Sequence, residues 1–164
     1  MEYKMSIEIV RKYFSSFGVE ERIQEFDVSS ATVELAAQAV GCIPARIAKT
    51  LSFKLGEDTI LIVAAGDAKI DNRKYKDKFG KKAVMLSKEE VTERIGHAVG
   101  GVCPFGIPDT VSVYLDESLK RFETVFPAAG SSNSAIELNM EELMWYSHAK
   151  EWIDVCKGWQ EQEA

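Results

Sequence analysis

The sequence predicts an α/β fold of the mixed α+β kind: a single domain over residues 1–164 with one mixed sheet and short helices around it. Three observations carry this. Seven or eight short strand-like runs are interspersed with short helical patterns, which is the signature of a layered α/β or α+β chain. Some connections between strand-like runs are tight turns, too short for a crossover helix, so hairpins must accompany any parallel pairs. The 164 residues are 46% hydrophobic and 28% charged, with no internal repeat, linker or low-complexity run, which suits one sizeable core.

The elements follow in order. Ser6 can cap a helix in which Ile7, Val10, Phe14 and Phe17 keep helical spacing, and Gly18 can end it. Residues 22–28 read as a strand. Ser30 or Thr32 opens an alanine-rich helix that stops at Gly41, and Pro44 suits the first turn of a short helix. Residues 47–55 alternate, with Ile47, Lys49, Leu51, Phe53 and Leu55 on one face and Ala48, Thr50, Ser52 and Lys54 on the other. The turn Gly56-Glu57-Asp58 leads into Thr59–Ala64, an apolar run of the buried-strand type. Asp71 caps a short basic helix ending near Gly80, and Ala83–Leu86 is a further strand. Ser87-Lys88-Glu89-Glu90 is a capping box for a helix that ends at Gly96. Thr110–Leu115 alternates as a strand, Asp116 caps a short helix, and residues 122–126 and 135–138 are strands. Asn139-Met140-Glu141-Glu142 opens the last helix, and Trp152–Val155 reads as the last strand. Trp145, Trp152 and Trp159 recur every seven residues, but Asp154 and Gly158 interrupt a heptad stripe, so each Trp is assigned to core packing.

Composition excludes several classes. No apolar run approaches the ~18 residues of a membrane-spanning helix, and residues 1–5 lack the apolar centre of a signal peptide. Cys42, Cys103 and Cys156 are odd in number, far apart and without zinc spacing, which fits reduced thiols in a cytoplasmic protein without a metal or other cofactor. The net charge of −6 argues against nucleic-acid binding by bulk charge. Its distribution is uneven. Residues 69–82 hold seven Lys and Arg against two Asp, whereas residues 137–164 hold seven acids against two Lys. The basic stretch is either a solvated helix face or a local surface for a phosphate backbone.

The densest chemical feature is Gly96–Pro108, thirteen residues with four glycines and two prolines between a helix and a strand. Glycine permits positive φ and close approach to the main chain, and proline fixes φ. Such a loop presents backbone amides that can hold a carbonyl, an oxyanion or a phosphate. Lys49 is the second unusual feature: a cation on an otherwise apolar strand face either snorkels to water or lines a pocket. Cys103 and His97 stand six residues apart and could form a nucleophilic dyad, although Pro104 follows Cys103 and no helix N-terminus is there to activate it. His97 otherwise reads as a substrate-orienting group, a base or a backbone-bonded loop histidine, and His148 as a helix C-terminal residue without a site role. Gly130-Ser131-Ser132-Asn133-Ser134 offers hydroxyls and an amide and by itself reads as a polar hairpin turn.

Gly96–Gly106 resembles the signature loop of the YbaK / prolyl-tRNA-synthetase-associated family of aminoacyl-tRNA editing domains. The alanine-rich helix with Gly41, Ile47-Ala48-Lys49-Thr50-Leu51, Ala64-Ala65-Gly66-Asp67 and Gly130-Ser131 fall in the family's order, so the resemblance covers nearly the whole chain. It implies a mixed sheet curled like a partial barrel. By position it makes Lys49 the active-site lysine, Gly100 and Pro104 the ends of the Gly-x-x-x-Pro loop, and Gly130 and Ser131 the far side of the pocket. The activity implied is hydrolysis of the ester between a wrong amino acid and the 3′ acceptor end of tRNA. In that chemistry Lys49 fixes the terminal phosphate or ribose, and backbone amides of Gly100, Gly101, Val102 and Cys103 hold the ester carbonyl. Water or a group of the substrate attacks. His97, Pro104, Phe105, Gly130, Ser131, Ser132 and Asn133 would line the substrate, and Lys69, Arg73, Lys74 and Lys76 would touch the acceptor stem. The partners implied are tRNA, tRNA(Pro) first, and a prolyl-tRNA synthetase. Some alanine-directed members carry a histidine in the second loop. Here it reads Gly130-Ser131-Ser132-Asn133, which leaves cysteine, alanine or another small residue open. Two rival readings stand beside this one: a non-catalytic module binding tRNA or a nucleotide in the same pocket, and a Cys103–His97 hydrolase.

Overall fold

The computed structural model describes residues 2–97 and 101–160, with side chains from residue 7 onward. Eleven strands and five α-helices are present among them. The strands are β1 (Ile23–Glu25), β2 (Ile47–Leu55), β3 (Asp58–Ala65), β4 (Lys69–Ile70), β5 (Val84–Met85), β6 (Ser112–Asp116), β7 (Thr124–Pro127), β8 (Ser134–Ile136), β9 (Leu138–Asn139), β10 (Trp152–Ile153) and β11 (Cys156–Lys157). The helices are α1 (Glu2–Ser15), α2 (Val33–Val40), α3 (Asn72–Phe79), α4 (Lys88–Ile95) and α5 (Met140–Ser147).

The main sheet is mixed and curled into a half-barrel, with strand order β10-β6-β3-β2-β7-β9 and β5 added on β2. The β2–β3 hairpin turns through Gly56 and Glu57, with Leu55 opposite Asp58. The neighbouring pairs β3–β6, β6–β10 and β2–β7 are parallel, as a sheet built from both hairpins and crossovers requires. One edge of β2 is shared. Ile47 and Ala48 pair with β7, whereas Phe53 and Lys54 pair with β5. Between them Lys49, Thr50 and Leu51 are laddered to β3 alone. The sheet is split at this point, and the candidate site opens there.

Local signals position these elements as the sequence predicts. Thr32 caps α2 by accepting from the Leu35 amide, and Gly41 ends it at φ 87°. Asp71 caps α3, and reciprocal capping boxes open α4 at Ser87 and α5 at Asn139. The core is continuous from β3 (Ile60 to Ala65) through β6 to Val10 and Phe14 of α1. Each large apolar side chain so buried contributes roughly 1.5–3 kcal/mol. Phe14 stacks tilted on Phe105 with centroids 4.9 Å apart, and a Cβ on Gly106 would come within 2.9 Å of Ile9. Helix α1 therefore braces the glycine loop from behind.

The structure corrects several expectations. Helix α1 begins at Glu2, so Ser6 lies within it and does not cap it. The strand at 22–28 shrinks to Ile23–Glu25 because Phe26 and Ser30 turn to bond the second loop. The last strand is two, β10 and β11, separated where the Val155 amide donates to buried Asp116. Trp145 is not core: it is 67% exposed. Both faces of β2 are covered, so Ala48 and Ser52 are buried as well as Ile47 and Phe53.

The uneven charge finds part of its explanation inside the molecule. Lys74 pairs with Asp154 at 3.0 Å and Lys78 with Glu151 at 3.1 Å, where β4 and β11 bring the basic and acidic stretches together.

Candidate active site

A cleft of about 300 Å³ opens at the gap along β2. Its wall is formed by residues 30–32 and the first turn of α2, the start of β2, Met85 of β5 and Leu86 after it, Val102 of the glycine loop, and Ala128, Ser134 and Ala135. Small side chains predominate: Ala31, Ala36, Ala48, Ala128 and Ala135 all stand in it.

Lys49 and Lys88 are the cations in this wall. The Lys49 ammonium donates to the carbonyls of Gly66 (3.3 Å) and Ala68, so it neither snorkels to open water nor lies unpaired. Burial lowers its pKa below the usual lysine range; the Asp67 carboxylate opposes that shift, and Lys69 adds to it. The turn that supplies both acceptors is itself held rigidly. A Cβ on Gly66 would collide with the Pro44 carbonyl oxygen, and Asp67 takes a bidentate grip on Arg121 at 2.5 and 3.0 Å. Arg121 also donates to the carbonyl of Ser118 and stacks on Trp159. The Asp67–Arg121 pair joins residues 54 apart in the chain, and no local pattern announces it.

The two loops meet backbone to backbone. A Cβ on Gly101 would lie 2.7 Å from both Cα and N of Ser131 and 2.8 Å from the Gly130 carbonyl carbon. This is a close approach that requires glycine. Gly100, the first residue of the Gly-x-x-x-Pro pattern, lies outside the described residues. The amides of Gly101 and Val102 have no acceptor among the described residues. In the second loop the Ser131 hydroxyl donates to Asn133 Oδ1 at 2.9 Å, and its oxygen lies 2.7 Å from Ser134 Oγ. Asn133 Nδ2 donates to the Phe26 carbonyl, and the Ser30 amide donates to the Ser132 carbonyl. The second loop thus ties the 26–30 segment into the cleft wall.

His97, Cys103 and Phe105 form a buried cluster beneath the loop, with Pro104 buried beside them. His97 Nε2 lies 2.9 Å from the Phe105 carbonyl, which can only accept, so that nitrogen carries the proton. It is then unable to take a proton from Cys103, whose Sγ is 3.5 Å away. Burial pushes the Cys103 thiol up to about 12 and holds the His97 pKa below its ordinary value. This geometry favours a supporting cluster over a nucleophile. Of the four cations assigned to tRNA, Lys69, Arg73 and Lys76 are exposed on or just before α3, whereas Lys74 is engaged with Asp154 and the Cys156 carbonyl. Among the described residues no group of three or more His, Cys, Asp or Glu is placed to hold a metal ion.

Comparison with known proteins agrees with this arrangement. The model of the aminoacyl-tRNA editing domain matches residues 27–145. The uncharacterized protein YwhH of Bacillus subtilis (strain 168) is 58% identical over 157 residues, covering 95% of this chain and 100% of that one. The proline–tRNA ligase of the same organism is 31% identical over 107 residues, covering 65% of this chain and 18% of the ligase. This chain therefore corresponds to less than a fifth of that enzyme. The crystal structure of a candidate trans-editing enzyme for prolyl tRNA synthetase superposes with a TM-score of 0.84 at 29% identity, over 93% of this chain and 98% of that one. With a curled mixed sheet, a glycine loop seated on a second loop and a family match spanning most of its length, this chain belongs to the aminoacyl-tRNA editing domain family.

Proposed function

We propose that this protein is a free-standing aminoacyl-tRNA deacylase, working as one domain, that hydrolyses the ester of a small, wrongly attached amino acid on tRNA, tRNA(Pro) first. The observation that carries this reading is the placement of Lys49 and Val102 in the wall of one cleft lined by small side chains. An aminoacyl ester is already activated, so no strong protein nucleophile is required. Water adds to the ester carbonyl, the ester C–O bond breaks, and the proton passes to the departing ribose oxygen. The loop amides of Gly101 and Val102 hold the carbonyl oxygen as it gains charge; one such donor is worth roughly 3 kcal/mol. Lys49 fixes the terminal phosphate or ribose, and its two carbonyl partners aim it. The exposed Lys69, Arg73 and Lys76 are the cations offered to the acceptor stem, and Lys69 is near enough to Lys49 to act on its charge. The family link to proline–tRNA ligase supports tRNA(Pro) as the substrate carrier and a prolyl-tRNA synthetase as the partner. No helix among the described residues is long and apolar enough to cross a membrane. The proposed role in translation is one carried out in the cytoplasm.

The direct test is a deacylation panel of tRNA(Pro) charged with alanine, cysteine, serine or proline. Release of a small non-cognate amino acid, with prolyl-tRNA(Pro) spared, is the expected result. Binding of tRNA without release from any panel member would instead make the protein a non-catalytic module. Cys103→Ser is expected to leave the rate essentially unchanged. Its abolition in a variant that still folds would restore the Cys103–His97 reading.

A further inference from the structure

A groove of about 850 Å³ lies beside α5, lined by none of the residues of the candidate active site. Met140, Met144, Ala149 and Trp152 form its apolar lining, all half-buried and packed on the core. Trp145 stands in the same groove, is 67% exposed and packs on neither core cluster. Glu141, Trp145 and the C-cap His148 make the exposed stripe of α5, at the i, i+4, i+7 spacing of one helix face. A contiguous apolar surface of this kind marks an interaction site, and a large aromatic side chain held out in solvent is its natural anchor.

The charges around the groove indicate what covers it. Lys120 is already engaged: it pairs with Glu117 at 2.7 Å and lies over the Trp152 ring, 4.6 Å from its centroid. His148 Nε2 lies 3.1 Å from the Tyr13 hydroxyl. The acids Glu142, Glu151 and Asp154 are neutralised by Arg22, Lys78 and Lys74, so they do not oppose close approach of another protein surface. Glu141 in the groove and Lys150 next to Ala149 are different. Both are exposed, and neither has an ion-pair partner among the described residues. Glu141 stands four residues before Trp145 and Lys150 five after it. An anchor with an acid on one side and a base on the other is complementary to its own reverse. A two-fold axis near Trp145 sets two α5 helices antiparallel, brings Glu141 of each copy toward Lys150 of the other, and offers each Trp145 the apolar groove of the other.

We propose that the α5 groove is the interface of a homodimer, in which two copies of this chain pair α5 antiparallel across a two-fold axis, with Trp145 as the anchor and Glu141 and Lys150 as the reciprocal ion pairs.

The test is sedimentation equilibrium of the full chain over a wide range of concentration at low salt. The mass is expected to rise reversibly toward twice that of one chain. Trp145→Ala should weaken association roughly tenfold or more, as loss of a central aromatic anchor does. Its melting curve should be unchanged, because Trp145 packs on neither core cluster. Glu141→Lys and Lys150→Glu should each weaken association, since each sets like charges against one another in both symmetry-related pairs. Mixing the two single variants should restore it, because every pair across the axis is then again of opposite charge, and neither variant alone can imitate that recovery. A single-chain mass at every concentration would overturn the proposal and leave the groove to a different protein. Association that Trp145→Ala leaves unchanged, or that the mixture of single variants fails to restore, would place the interface elsewhere and overturn it equally.

Discussion

Lys49→Ala is expected to reduce deacylation of the mischarged tRNA by roughly 100-fold or more, the usual scale for losing one preorganised charged or hydrogen-bonding contact in a transition state. The fold should survive. Removal of the side chain relieves a desolvated ammonium and leaves the Gly66 and Ala68 carbonyls without that donor, while the β2–β3 ladder on either side of position 49 is untouched. Single-turnover rates with saturating enzyme separate the chemical step from tRNA binding. Lys49→Arg keeps the charge but brings a planar fork to a place where two carbonyls converge on one ammonium, so it should recover little. Wild-type rates in Lys49→Ala, with an unchanged melting curve, would remove Lys49 from the mechanism.

Asp67→Ala should have the largest effect on stability. The Asp67 and Arg121 side chains are only 9% and 12% exposed, and their bond is bidentate. Removing one member of a buried pair strands the other charge, which costs about 3–5 kcal/mol. In a chain of this size that corresponds to a fall of roughly 6–20 °C in melting temperature. The double variant Asp67→Ala/Arg121→Met should regain part of the loss, because the stranded guanidinium is gone. Activity should fall further than folding alone explains, since Asp67 sits in the turn whose carbonyls hold Lys49. A loss below about 1 kcal/mol, the range of exposed pairs, would show that solvent reaches the bond and that the turn is fixed by other means.

Elements with strong local signals were legible in the sequence. The capped helices α2 to α5 start where their Thr32, Asp71, Ser87 and Asn139 caps put them, and α2 to α4 stop at their terminal glycines, whereas α5 ends at His148, because capping is decided within a few residues. The β2–β3 hairpin was legible for the same reason. The two-residue strands were not. Short strands such as β4 and β11 exist only because distant segments meet, and no local periodicity encodes that meeting. The site divides along the same line. Lys49 and the glycine loop stand out as chemical anomalies in the chain. Asp67 is an ordinary residue whose importance lies in what the fold places beside it. Trp145 shows the converse: an aromatic that sequence assigns to a core faces solvent, because α5 turns that side outward.

The split edge of β2 has an evolutionary consequence. The width of the opening depends on where a strand of two residues, Val84 and Met85, docks against the far end of β2. Both residues are largely exposed, and the 80–83 approach to them lies outside any regular element, so this segment can drift or change length without disturbing the β2–β3–β6 core. Substrate range and foldability are thereby separated in one small domain. For the proposed deacylase this means that the rim of the opening can change while the frame behind it stays as it is.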